Sequence, residues 1–211
     1  MMHRTTGVLD LNNVELSSTV TVAGYREMER SQNRNGLAHF VQERLSERYI
    51  APLQAVPPKK KHGFLVMAGS CLLVETLESF YQGWESTDKG MNRVDIKDPC
   101  KPTDPNRTTV SSGEVAFCYF FQREQEFAAI RTYEQAFYKH VRCGLLHQGE
   151  TMSGWRVQRK EELFDVPNLT VNATKFLMAV RRSLRAYAEK LRSAEYGAHL
   201  PSVCFALSKS G

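Results

Sequence analysis

"HGFLVMAGSCLLVETLESFYQGW", residues 62–84, decides the class of fold. Its apolar residues fall on almost every side of a 3.6-residue helix and only Glu75 and Glu78 carry charge, so the stretch predicts a helix buried over most of its surface at the centre of a core. Such a helix needs apolar partners, and the flanking sequence supplies them. Upstream, Leu37, Phe40, Val41, Leu45, Tyr49 and Leu53 recur at helical spacing, and Pro57-Pro58 ends that helix. Downstream, residues 114–148 read as helical, broken into two near 122–125, with Phe127, Ile130, Tyr133 or Glu134, Phe137, Val141 and Leu145 on one face. A last helix, capped by Asn172 or Thr170, runs to about Ala194 and turns Phe176, Val180, Leu184, Tyr187 and Leu191 inward.

Residues 85–113 carry Gly90, Pro99, Pro102, Pro105 and Gly113 among polar residues, the signature of a long surface loop. After Gly149, "WRVQR" and "LFDVP" read as a short hairpin or an irregular excursion. The fold class predicted is therefore all-α: a bundle of four to five helices with a long loop and a small irregular or β excursion. With 211 residues the chain suits one domain. Its division is an N-terminal extension over 1–33, a helical domain over 34–200 and a tail over 201–211. Within the extension, "GVLDLNNVELSSTVTVAGY" alternates weakly around Asn12-Asn13, like a ragged hairpin.

The composition, 42% hydrophobic and 24% charged, excludes a disordered chain. A net charge of +5 and a pI near 9.0 favour a polyanionic partner without singling one out. Among five cysteines there is no CxxC, and Cys71, Cys118, Cys143 and Cys204 sit in apolar runs as small hydrophobes, so neither a disulfide framework nor a zinc ribbon is expected. The start lacks an apolar leader core, and no later stretch gives eighteen uncharged apolar residues. A cytoplasmic protein with no membrane partner is the expectation. Neither a Gly-rich phosphate loop after a strand nor a Gly-x-Ser-x-Gly elbow occurs.

Two stretches repeat one pattern: "RNGLAH" at 34–39 and "RCGLLH" at 142–147 both place a histidine five residues after an arginine. The spacing arises readily by chance, and on a regular α-helix residues five apart do not share a face, so context has to separate the copies. Asn33, Asn35 and Gly36 read as the cap before the first helix, which makes the N-terminal copy a solvated helix start. The second copy ends a long amphipathic helix. There Lys139, His140, Arg142, His147, Gln148 and Glu150 gather groups able to hold a phosphate and move a proton, with Cys143 between them.

The helical pattern over 37–194, with "VRCGLLHQGE" near the end of a late helix, resembles the HEPN superfamily (higher eukaryotes and prokaryotes nucleotide-binding), in particular bacterial members of toxin and phage-defence systems. That resemblance implies a metal-independent endoribonuclease without cofactors, working as a homodimer whose two motifs face across a cleft. It assigns His147 as general acid or base and Arg142 as the holder of the scissile phosphate, giving a 2′,3′-cyclic phosphate and a 5′-OH. The residue types suit that chemistry: imidazole titrates near neutrality, and a guanidinium grips phosphate bidentately without losing charge. An antitoxin or another defence protein is the partner it implies beside RNA. Family members often carry Asn directly after the arginine, where this chain has Cys143. The alternative is thus a catalytically silent module that binds RNA or a partner protein.

Glu75 and Glu78 read as a narrow polar stripe with Cys71, Ser79 and Gln82 facing solvent or a subunit; the competing reading has Glu75 orient the motif arginine or histidine. "PPKKKHG" reads as a solvated loop. Arg181, Arg182, Arg185, Lys190 and Arg192 form the outer side of the last helix, equally a solvated face and an RNA track. His140, His147 and Glu150 lack the spacing and the companions of a metal site, so no metal is expected.

Overall fold

The computed structural model describes residues 11–57, 61–84 and 86–193. Residues 1–10, part of the lysine loop and the tail over 201–211, with Cys204, lie outside the described residues. The chain is mostly helical, as the periodicity predicts. Helix α1 spans Val22–Arg30, α2 Arg34–Leu45, α3 Ala51–Gln54 and α4 Gly63–Gln82. A π turn, Ser46–Ile50, joins α2 to α3. Strands β1 (Gly90–Asn92) and β2 (Thr109–Ser111) precede α5, Ser112–Arg123. A 3-10 segment, Gln125–Ile130, leads to α6, Glu134–Phe137, which continues through two π turns, Tyr138–Arg142 and Gly144–Gln148. Strands β3 (Arg156–Gln158), β4 (Phe164–Asp165) and β5 (Thr170–Asn172) come before α7, Ala173–Ser193.

Helix α4 lies at the centre, as its apolar circumference requires: Val66, Met67, Cys71, Leu73, Val74 and Leu77 are buried, against α7 on one side and α5 on the other. By length and composition α4 would also span a membrane, but half of it is buried inside the protein. Helix α7 turns Phe176, Val180, Leu184, Tyr187 and Leu191 inward, as predicted. Its cap is Asn172, whose Oδ1 accepts the Lys175 N–H at 3.0 Å while its amide donates to the carbonyls of Lys160 and Glu161. Phenylalanines fill the space between α5, α6 and α7. Phe137 stacks on Phe176 at 5.5 Å and meets Phe121 and Trp155 edge to face at 5.3 and 5.6 Å.

Three local readings are corrected. Residues from Leu11 onward do not trail outside the bundle: Leu16 and Tyr25 join the main core, Tyr25 packing on Phe40 at 5.3 Å. Residues 7–10 of the expected hairpin lie outside the described residues; among the described ones a single bridge, Glu15 to Thr21, remains, and Thr21 caps α1 instead of continuing a strand. "WRVQR" and "LFDVP" do not pair with each other. Both flank β5, β3 in parallel and β4 antiparallel, since all three β5 residues are buried and take the centre of the sheet.

The long loop is also more than a surface excursion. Strands β1 and β2 pair antiparallel, and Ile96, Cys100, Val110, Val115 and Cys118 form a second small core beside Trp84, Met91 and Tyr119. Cys118, expected as a free thiol, is bonded to Cys100, with Cα atoms 5.7 Å apart. The prolines dominate that stretch as turn signals and mask the two apolar residues, Ile96 and Val110, that seat it on α5.

Candidate functional site

Helix α6 runs into its first π turn at Tyr138, and the second closes at Gly149, which adopts a left-handed conformation with φ 73°. In these turns the N–H of Cys143 donates to the carbonyl of Tyr138 and that of Gly149 to Gly144, five residues back instead of four. The wider turn brings residues five apart closer to one face than an α-helix does, which bears directly on Arg142 and His147. The chain that follows folds back along the helix: Met152 N–H donates to the His140 carbonyl at 2.9 Å and Glu150 N–H approaches that of Gly144 at 3.4 Å.

Gly144 makes that return possible. A Cβ there would lie 2.5 Å from the Glu150 carbonyl oxygen, a backbone atom that cannot swing aside. Gly144→Ala is therefore expected to destabilise the protein by about 1–3 kcal/mol in denaturant titration, and a change below about 0.5 kcal/mol would show that the chain does not double back here. In the N-terminal copy, Gly36 faces the flexible Met28 side chain instead.

Arg142 is largely buried and forms a fork with Glu75 of α4: Nε donates to Oε1 at 2.5 Å and Nη2 to Oε2 at 3.0 Å. Glu75 is only 8% exposed, so it is no surface stripe residue, and the expectation that it faces solvent or a subunit is overturned. It orients the motif arginine, and Thr87 approaches its Oε2 at 3.4 Å. Glu78 is likewise buried, paired with Arg123 at 2.6 Å and accepting a hydrogen bond from Gln82. Burial raises its carboxyl above the usual range despite Arg123. Two carboxylates survive in the central helix because each meets an arginine from another helix.

Burial works to lower the Arg142 pKa, but the Glu75 hydrogen bonds and charge outweigh it and hold the guanidinium more firmly protonated than usual. Its face lies 5.4 Å from the Tyr138 ring. Two of its five N–H groups serve Glu75. Beside the pair, Cys71 is fully buried, and burial first, then the Glu75 charge, push its thiol far up. Burial also raises the Tyr138 phenol, opposed by its hydrogen bond to Ser111, 3.0 Å away.

Cys143, partly exposed, and Lys139, exposed, line a cleft of about 540 Å³ whose other walls are Tyr138, Gln135, Arg107 and Glu114. Arg107 and Glu114 close one wall with a bidentate pair at 2.9 and 2.5 Å. His147, Gln148 and Glu150 are exposed at the end of the second π turn. No hydrogen bond joins His147 to any described residue. His140 is partly exposed, and its Nδ1 is buried without a hydrogen-bond partner; burial, then Lys139, lowers its pKa. The structure thus brings Arg142, Glu75, Tyr138 and Cys143 together, and leaves His147, Gln148 and Glu150 outside that cluster. Tyr138, Thr87, Ser111 and Arg107 escaped the sequence reading. Three of these four lie in the apparent loop and its second strand, where no periodicity ties Thr87 to Glu75, Arg107 to Glu114 or Ser111 to Tyr138.

The N-terminal copy differs. Asn33 caps α2, its Oδ1 accepting from Gly36 at 2.9 Å, and exposed His39 sits 3.7 Å from Glu43. Arg34 keeps Nε and Nη2 buried without a hydrogen-bond partner. Of the α7 cations, Arg182 pairs with Glu126 and Arg192 with Glu189, which neutralises part of that face. Among the described residues no group of three metal-ligating side chains comes together. The chain matches no family model, no curated protein and no solved structure.

Proposed function

We propose that this chain is a metal-independent endoribonuclease of the HEPN type, acting in the cytoplasm as a homodimer in a bacterial defence or toxin system. The observation that carries the reading is the buried fork between Arg142 and Glu75 at the middle of a doubly π-wound stretch, with exposed His147 near its end. Glu75 fixes the guanidinium in one orientation, and its free N–H groups are the donors a scissile phosphate needs as charge develops on it. His147, unpaired and open to solvent, is the proton carrier. It takes the ribose 2′ proton or gives one to the leaving 5′-oxygen. Two copies facing each other supply one histidine for each task.

A silent module that binds RNA or a partner protein, such as an antitoxin, is the second reading. It is favoured by the burial of Arg142, 16% exposed and already neutralised by Glu75. End analysis of the products separates them. The first reading expects single-stranded RNA cut in EDTA to fragments with 2′,3′-cyclic phosphate and 5′-OH ends. Fragments with 5′-phosphate ends, or cutting that requires a divalent metal, overturn it.

A further inference from the structure

We propose that residues 86–111 form a flap over the Arg142–Glu75 site, clamped shut by the Cys100–Cys118 disulfide, and that a dithiol reductant releases it. The flap touches the site from three sides. Thr87 reaches Glu75, Ser111 holds the Tyr138 hydroxyl, and Arg107 pairs with Glu114 to form the wall of the cleft opposite Lys139 and Cys143. Apart from the bridge, the flap is held to α5 by the Arg107–Glu114 pair, by the Lys97 N–H donated to the Tyr119 hydroxyl at 2.6 Å, by the Ser112 hydroxyl donated to the Lys89 carbonyl, and by Ile96 and Val110 packed with Val115. A two-stranded pairing of three residues each is marginal alone, and the flap's own core has few members, of which Cys100 and Cys118 are two. Removing the covalent link leaves only these non-covalent ties to hold the flap on α5.

The bridge is buried, Cys100 6% and Cys118 3% exposed, so a reductant meets it as the flap opens locally. Cys100 borders a second cleft of about 310 Å³, lined also by Lys97, Arg123 and Gln82, the side from which a reductant would approach. A thiolate of the reductant attacks Cys100 Sγ and forms a mixed disulfide, and the Cys118 thiolate leaves. The second thiol of the reductant then displaces Cys100. Two electrons pass to the protein, the dithiol departs as a disulfide, and the two protons it loses end on the cysteines. In a reducing compartment disulfides are transient and regulatory more often than structural, which fits a clamp placed over a site rather than within the main core.

The placement of the flap is independent of the ribonuclease reading; only its effect on cleavage rests on it. The test compares the full chain, air-oxidised and dithiothreitol-treated, by amide hydrogen exchange and by iodoacetamide labelling of Cys143. On reduction, exchange over 90–111 should rise by about tenfold or more and Cys143 labelling should quicken several-fold, while the α7 amides and buried Cys71 stay unchanged. The Cys100→Ser, Cys118→Ser double variant should resemble the reduced form under both conditions. Equal exchange in the two states, a double variant that behaves like the oxidised form, or free thiols at both positions in protein kept without reductant overturns the flap. RNA cleavage followed in the same samples should change with the exchange. Absence of cleavage in both states counts against the ribonuclease reading while the exchange still judges the flap.

Discussion

Glu75→Ala should destabilise the protein by about 3–5 kcal/mol in chemical denaturation. The loss comes from the partner left behind. Arg142 cannot shed its proton, and without the carboxylate its largely buried Nε and Nη2 would be left with no compensating charge. Thr87 would lose its acceptor too, so the flap should loosen together with the helix. The double variant Glu75→Leu, Arg142→Met separates stability from function. Replacing a buried ion pair with well-packed apolar groups is often neutral or stabilising, so this variant should fold near wild-type stability and have no cleavage activity. A single Glu75→Ala within about 0.5 kcal/mol of wild type would contradict the buried fork.

Phe137→Ala should cost a similar amount, about 3–5 kcal/mol. Its ring is fully buried, flat against Phe176 of α7 and edge-on to Phe121 of α5 and to Trp155, so truncation opens a void where three segments meet. The residue also immediately precedes Tyr138 and the first π turn, so the variant should lose ordering at Arg142 as well as global stability. The comparison is Phe64→Ala on the outer side of α4, 41% exposed, where a change within about 0.5 kcal/mol is expected. Thermal and urea melts of the two variants check both values. A Phe137→Ala melt indistinguishable from that of Phe64→Ala would remove the aromatic cluster as the support of the site.

The helical frame was legible because it rests on local periodicity. The all-round apolarity of residues 63–82 and the one-sided stripe of α7 each translate directly into burial, and side-chain chemistry narrows the α7 cap to Asn172 or Thr170, of which the fold uses Asn172. What stayed hidden depends on contacts distant in sequence. The Glu75–Arg142 pair was visible only as the competing reading, since no pattern near Glu75 selects an arginine 67 residues later and a carboxylate in an apolar helix reads equally as a polar stripe. The Cys100–Cys118 bridge has no spacing motif, and the prolines around it argue for an open loop. The π turns are invisible for another reason. They arise because the chain after Gln148 returns to bond the carbonyls of His140 and Gly144, a tertiary cause with no trace in propensity. The two Arg-x4-His copies, equal in spacing, are separated by the same kind of long-range fact: Arg142 has a buried carboxylate, and Arg34 has none.

The most direct test is a single-turnover assay of RNA in EDTA with wild type and His147→Ala at matched concentration. His147 is exposed and makes no hydrogen bond among the described residues, so the variant should melt like wild type, and any loss reports chemistry alone. Cleavage by wild type, reduced by about a hundredfold or more in His147→Ala, is the expected result. Cleavage unchanged in His147→Ala, or no cleavage by wild type in either thiol state, would contradict the ribonuclease reading.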